Sequence, residues 1–229
     1  TRIDAIHIPT TGNSSDFGDI TVARRTFGGC SSHTRGLCFG GYAPGESNVT
    51  DSIEMQSLGN AADFGNLSSP RADNGGLSSQ TRGMSGGGYT GASSDVIDYF
   101  TITTAGNATD FGNMSVARWG TFGSCGSSTR GIWGGGSDNG TRSDVIDYVT
   151  IASTGNATDF GDLDTARTEM PGSSNGIRGV FFGGGTPTTS NVIDYVTIAS
   201  TGDATDFGDL YTAYYGKAPV SDSHGGLQN

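Results

Sequence analysis

Between residues 166 and 210 the apolar and polar positions sort into four short runs. Ala166 to Gly176 is small and polar. Arg178 to Phe182 is apolar and stops at Gly183-Gly184-Gly185. Asn191 to Ser200 alternates apolar with polar residues, and after a turn at Gly202-Asp203 the run Thr205 to Leu210 closes the unit. Alternation with period two, and short apolar runs bounded by glycine, are strand signals, so this stretch predicts four strands in up-and-down order, here lettered a to d.

The same succession recurs along the chain. Asp-Phe-Gly stands at Asp16-Phe17-Gly18, Asp63-Phe64-Gly65, Asp110-Phe111-Gly112, Asp159-Phe160-Gly161 and Asp206-Phe207-Gly208, spaced 47, 47, 49 and 47 residues apart, and Val145 to Gly155 is identical to Val192 to Gly202. A repeat of this length is one supersecondary unit that buries its apolar faces only by stacking on its neighbours. Four-stranded sheets repeated at this period suit a β-propeller. The expectation is one all-β domain, residues 1–229, with five four-stranded antiparallel blades at about 22–67, 69–114, 116–163 and 165–210, and a fifth joining 1–20 with 212–229. Its N-terminal part is strand c (Ile3 to Ile8) and strand d (Ser14 to Ile20). Its C-terminal part is strand a (Thr212 to Asp222) and a stub, Gly226 to Asn229. Strand b of this blade is nearly missing, to be completed by more chain, by another polypeptide, or not at all.

Composition agrees with short strands and tight turns: 40 of 229 residues are glycine and only four are methionine. The net charge of -11, with eleven arginines and Lys217 as the only cations, excludes nucleic acid and anionic membrane as partners, because phosphate recognition needs clustered Lys and Arg. No apolar run reaches a membrane span, so no membrane insertion is expected. Cys30, Cys38 and Cys125 show neither a disulfide framework nor zinc spacing and read as small buried thiols. The chain starts at Thr1 without methionine, as a processed or truncated segment would.

Glycine pairs after an apolar strand (Gly40-Gly41, Gly86-Gly87, Gly134-Gly135, Gly183-Gly184), then Tyr99, Tyr148 and Tyr195, then the Phe of each Asp-Phe-Gly, fall where kelch repeats carry a diglycine, a tyrosine and a tryptophan. The chain thus resembles kelch propellers over its whole length. Phe replaces Trp throughout, and Ala5 and Met55 take the tyrosine place in the first two copies. The run 146–163, Ile-Asp-Tyr-Val-Thr-Ile-Ala-Ser-Thr-Gly-Asn-Ala-Thr-Asp-Phe-Gly-Asp-Leu, with Thr-Arg-Gly at 34–36, 81–83 and 129–131, also resembles Asp-Phe-Gly-Asp-Leu repeats in virion proteins of marine tailed bacteriophages. That resemblance implies a virion or extracellular location, other virion proteins as partners within an oligomeric particle, and no catalytic residue.

Two arginine series recur: Arg35, Arg82, Arg130 and Arg178, with His224 near a fifth place, and Arg24, Arg71, Arg118 and Arg167. Rings of guanidinium groups suit anionic sugars or phosphate. Alternatively each pairs with an Asp of its own repeat, from Asp4, Asp98, Asp147 and Asp194 or from Asp16, Asp63, Asp110, Asp159 and Asp206. The parity of arginines and carboxylates favours this architectural reading, for these residues and for Phe17, Phe64, Phe111, Phe160 and Phe207. No loop has the dense Asp spacing of a calcium site, and His7, His33 and His224 are scattered, so neither metal, cofactor nor enzyme chemistry is expected.

The c-to-d turns (Thr11-Gly12-Asn13, Leu58-Gly59-Asn60, Ala105-Gly106-Asn107, Thr154-Gly155-Asn156) are nearly uniform, as tight hairpins demand. The b-to-c connections (42–48, 89–95, 137–144 and 186–191) differ in length and chemistry, the layout of a recognition surface on a rigid scaffold. The reading is a non-enzymatic structural or adhesive virion module on a tail fibre, tail tip or capsid surface. It would contact a host-surface glycan or receptor, with Tyr42, Tyr89, Asn139 and Arg142 as candidate contacts. A capsid decoration or assembly protein, and a secreted carbohydrate-active enzyme, are the alternatives.

Overall fold

The structure is a computed structural model that describes residues 1–7, 9–121 and 123–216. These form twenty strands and no helix. A two-stranded pair, β1 (Arg2–Ala5) with β2 (Ser15–Asp19), precedes four four-stranded antiparallel sheets in which strands a to d follow chain order. The first holds β3 (Gly28–Ser31), β4 (Arg35–Phe39), β5 (Val49–Glu54) and β6 (Ala62–Asn66). The second holds β7 (Gly75–Ser78), β8 (Arg82–Gly86), β9 (Val96–Thr101) and β10 (Thr109–Asn113). In the third are β11 (Ser124–Gly126), β12 (Arg130–Gly134), β15 (Val145–Thr150) and β16 (Thr158–Asp162), with a small hairpin of β13 (Ser137–Asp138) and β14 (Thr141–Arg142) between b and c. The fourth has β17 (Gly172–Ser174), β18 (Arg178–Phe182), β19 (Val192–Thr197) and β20 (Thr205–Asp209).

Asp-Phe-Gly is a β-bulge. In the first sheet Thr50 pairs with Gly65 and Asp51 with Asp63, which leaves Phe64 as the extra residue, and the same slip recurs at Phe17, Phe111, Phe160 and Phe207. The bulge Gly N–H donates to the motif's own Asp in Gly112 to Asp110, Gly161 to Asp159 and Gly208 to Asp206. Phe64, Phe111 and Phe160 are thereby turned into three apolar clusters, each between consecutive sheets: Leu37, Phe39 and Phe100; Met84, Phe111 and Trp133; Ile146, Phe160 and Phe181.

The motif's glycine is needed by the neighbour. A Cβ on Gly18, Gly65 or Gly112 would lie 2.3, 2.3 or 2.4 Å from the carbonyl oxygen of Gly59, Gly106 or Gly155 in the next unit's c-to-d turn. Those turns are seven-residue connections that dock on the preceding sheet, which corrects the tight-hairpin expectation. Gly59 N–H donates to Phe17 O, Ala61 N–H to Asp19 O, and Asn60 Oδ1 accepts from Asp19 N–H; Asn107, Asn156 and Asp203 repeat the last contact with Asn66, Asn113 and Asp162. Their uniformity therefore records contact between sheets.

Other expectations also change. Ser52, opposite Ala62, occupies the register of Tyr99, Tyr148 and Tyr195, so Met55 is not the tyrosine equivalent. Strand a is only three or four residues long, because the chain before it is held by single bridges such as Thr168 to Gly185. Strand c of the first pair ends at Ala5, and 212–216 is not strand; Ile8, and the rest of the expected C-terminal strand a with its stub, lie outside the described residues. No closed sheet or closed ring is found among the described residues. Phe207 is 56% exposed where Phe111 and Phe160 are 3%, and open space surrounds Gly208.

Candidate recognition face

The four residues Arg24, Arg71, Arg118 and Arg167 enter their sheets just ahead of strand a and end in buried ion pairs. Arg24 reaches Asp51 at 2.7 Å, Arg71 reaches Asp98 at 2.8 Å, Arg118 reaches Asp147 at 2.7 Å, and Arg167 pairs with Asp194, all with fully buried side chains. Burial pulls Arg71, Arg118 and Arg167 below the usual guanidinium value against the pull of their carboxylates, and burial raises Asp194. Asp51, absent from the expected carboxylate series, is a full member. Asp4 instead bonds the exposed Arg2.

Two residues beyond each of these arginines the backbone turns left-handed. Thr26, Asp73, Gly120, Glu169 and, after Tyr214, Gly216 have φ of 51°, 55°, 67°, 53° and 66°. Their peptide groups form a chain from unit to unit: Asp73 N–H to Thr26 O at 2.9 Å, Gly120 N–H to Asp73 O at 2.9 Å, Glu169 N–H to Gly120 O at 3.2 Å, and Gly216 N–H to Glu169 O at 2.9 Å. Left-handed φ costs a non-glycine residue on the order of 1 kcal/mol or more. The inter-unit hydrogen bonds hold three such residues there. Burial, and then the nearby Glu169 charge, push the Asp73 carboxyl above its ordinary value.

The variable b-to-c connections surround this line. Tyr42, Tyr89, Ser137 and Gly185 form single bridges with Arg25, Ala72, Trp119 and Thr168, the residues just before Thr26, Asp73, Gly120 and Glu169. The Arg25 guanidinium lies 5.1 Å over the Tyr42 ring, and Tyr89 meets Trp119 edge-on at 6.2 Å. Tyr42 and Tyr89 remain 38% and 36% exposed. Asn139 has φ of 45° and clasps the preceding loop, its N–H donating to Ser93 Oγ and its Oδ1 accepting from Ser93 N–H. Arg142 Nε donates to Gly185 O in the next unit. Of the four expected contacts, the two tyrosines stay partly exposed, whereas Asn139 and Arg142 spend polar groups on joining loops. Arg25, Trp119, Asp73 and Glu169 belong to the same end and were not singled out by sequence. The signal was a run two residues past each strand-a arginine, hidden because its residue types differ.

The other arginine series lies at the opposite end of the sheets, where strand b begins. Arg35, Arg82 and Arg130 donate to the carbonyls of Ile102, Ile151 and Ile198 in the following sheet at 2.8, 2.7 and 2.7 Å. Arg82, Arg130 and Arg178 stack on Tyr99, Tyr148 and Tyr195 at 4.4 to 4.6 Å, and Arg35 pairs with Glu54 at 2.6 Å. The expected Asp pairing therefore belongs to the Arg24 series. These four guanidinium groups serve carbonyls, rings and one Glu.

Burial pushes the Cys30 and Cys125 thiols up to about 12 and Cys38 up to about 11. Among the described residues no three His, Cys, Asp or Glu side chains gather as metal ligands, and no helix is long and apolar enough to cross a membrane. Compared with protein-family models and with curated proteins, the chain matches none.

Proposed function

We propose that the chain is a five-unit, kelch-like propeller that works as a non-enzymatic recognition module of a phage virion, binding a host-surface glycan. The observation that carries this reading is the gathering of all four divergent b-to-c connections at one end of a uniform frame, with Tyr42 and Tyr89 half-exposed there. Exposed aromatic faces stack on the apolar faces of sugar rings, and nearby polar loops such as 137–142 supply hydrogen bonds to hydroxyls. Five residues of one register linked in series from Thr26 to Gly216 support a ring of five units. Weak contacts of this kind gain strength when many copies sit on one particle.

The test is binding of multimerised protein to a glycan array and to host cells. Tyr42→Ala/Tyr89→Ala is expected to abolish binding while leaving the thermal midpoint within a few degrees. Unchanged binding by this variant sinks the assignment of the face. The alternative of a virion assembly protein draws on a different observation, the apolar exposure of Phe207 in β20 and of Ile177 in the turn before β18, 56% and 67%. It predicts that a virion protein is retained through Phe207 and Ile177 and that glycans are not.

A further inference from the structure

Asp73, Gly120 and Glu169 are consecutive members of the hydrogen-bonded line, and the middle one has no side chain. The carboxyl groups on either side are close enough across this bare residue for the Glu169 charge to act on Asp73. Both residues are only partly buried. The Glu169 carboxylate makes no hydrogen bond or ion pair among the described residues. A third oxygen adjoins them. Thr168 is 8% exposed, and its Oγ1 has no hydrogen-bond partner among the described residues. That hydroxyl is turned toward the bare residue: a Cβ on Gly120 would lie 2.5 Å from Thr168 Oγ1 and 3.7 Å from Glu169 Cγ. A buried hydroxyl left unpaired forgoes a bond that water would give it, so a partner supplied from outside is favoured.

We propose that the space over Gly120 takes a primary ammonium group of the bound glycan, an unacetylated amino sugar, whose three N–H donors go to the Asp73 carboxylate, the Glu169 carboxylate and Thr168 Oγ1. The inference deepens the glycan reading above and rests on it. Trp119 directly precedes Gly120 and meets Tyr89 edge-on, so a sugar ring carrying this amine has aromatic surface beside it.

The same surroundings disfavour other ligands. Calcium needs about six to eight oxygens. Among the described residues no three His, Cys, Asp or Glu side chains gather, and the carbonyls of Thr26, Asp73, Gly120 and Glu169 already accept from the next unit's N–H groups. An acidic sugar would meet two like charges, while the Arg25 guanidinium is laid over the Tyr42 ring. An ammonium group also offsets the repulsion from Glu169 that, after burial, holds the Asp73 carboxyl above its ordinary value.

The test is isothermal titration calorimetry of the full chain with glucosamine oligomers and with N-acetylglucosamine oligomers of the same length, at a pH where the free amine is charged. The unsubstituted protein is expected to bind the glucosamine oligomers about tenfold more tightly. Asp73→Asn/Glu169→Gln is expected to lose that preference while still binding the acetylated oligomers. Asp162→Asn/Asp203→Asn is the control for general attraction of a cation to an acidic chain: it removes two charges elsewhere, with the Asn that Asn113 and Asn156 place in the same contact, and is expected to keep the preference. Equal binding of the two oligomers, a preference that survives Asp73→Asn/Glu169→Gln, or one that the control also loses, overturns the ammonium site and leaves the glycan-binding face standing. Binding of neither oligomer, when other glycans on the array are bound, does the same. Binding of no glycan at all overturns the face as well.

Discussion

Replacing Asp147 by Ala leaves Arg118 as an uncompensated charge in a site with no solvent access. In the native third sheet the guanidinium Nη2 sits 2.7 Å from Asp147 Oδ2 and 3.3 Å from Trp133 O, and both side chains are fully buried. Losing one member of such a pair costs about 3–5 kcal/mol, whereas replacing both by apolar groups is often close to neutral. Asp147→Ala is therefore expected to lower the unfolding free energy by about 3–5 kcal/mol, and Arg118→Met/Asp147→Ala by clearly less. The assay is urea denaturation followed by tryptophan fluorescence, since Trp133 packs in the same sheet. Glu54→Ala, which breaks the partly exposed pair with Arg35, supplies the comparison at about 1 kcal/mol or less. A loss below about 1 kcal/mol for Asp147→Ala, or a double variant equal to the sum of the singles, would refute the view that burial makes this pair indispensable as a pair.

Three further outcomes follow from the same geometry. Asp73→Asn should raise the melting temperature at neutral pH: the Asp73 carboxyl is raised in the folded state, so its favourable contribution belongs to low pH and is lost as pH rises through the folded value; the advantage of Asn should vanish in a pH series below the usual carboxylate range. Glu169→Gly should stabilise by about 1 kcal/mol in denaturant titrations, because φ of 53° suits the glycine that Gly120 and Gly216 place in this register; a loss of stability would show that the Glu169 side chain outweighs its strain. Gly112→Ala should destabilise by about 1–3 kcal/mol, since its Cβ would lie 2.4 Å from Gly155 O in the next unit; an unchanged midpoint would mean that the turn does not dock there in solution.

Phe160 and Tyr148 show what can be read from one dimension. Their recurrence announces four strands per unit and an apolar residue in each d strand, because these demands repeat and leave the same letters at the same period; that the glycine after each Phe makes room for the next unit's turn is seen only in the structure. Asn60 was visible too, but its uniformity suggested a local turn when its partner is Asp19 in the neighbouring sheet. The two arginine series carry one shared expectation for the same reason: parity with carboxylates is a property of the count, whereas burial beside Asp51 or stacking on Tyr99 depends on which end of the sheet each arginine occupies.

The sequence by itself determined an all-β chain of repeated four-stranded units, since alternation, glycine placement and period are local or translational features. Only the tertiary structure placed Thr26, Asp73, Gly120, Glu169 and Gly216 in one hydrogen-bonded line and set Tyr42, Tyr89 and Trp119 around it. That line is held by backbone groups, to which side-chain identity is almost indifferent, so different residues satisfy it and no motif marks it.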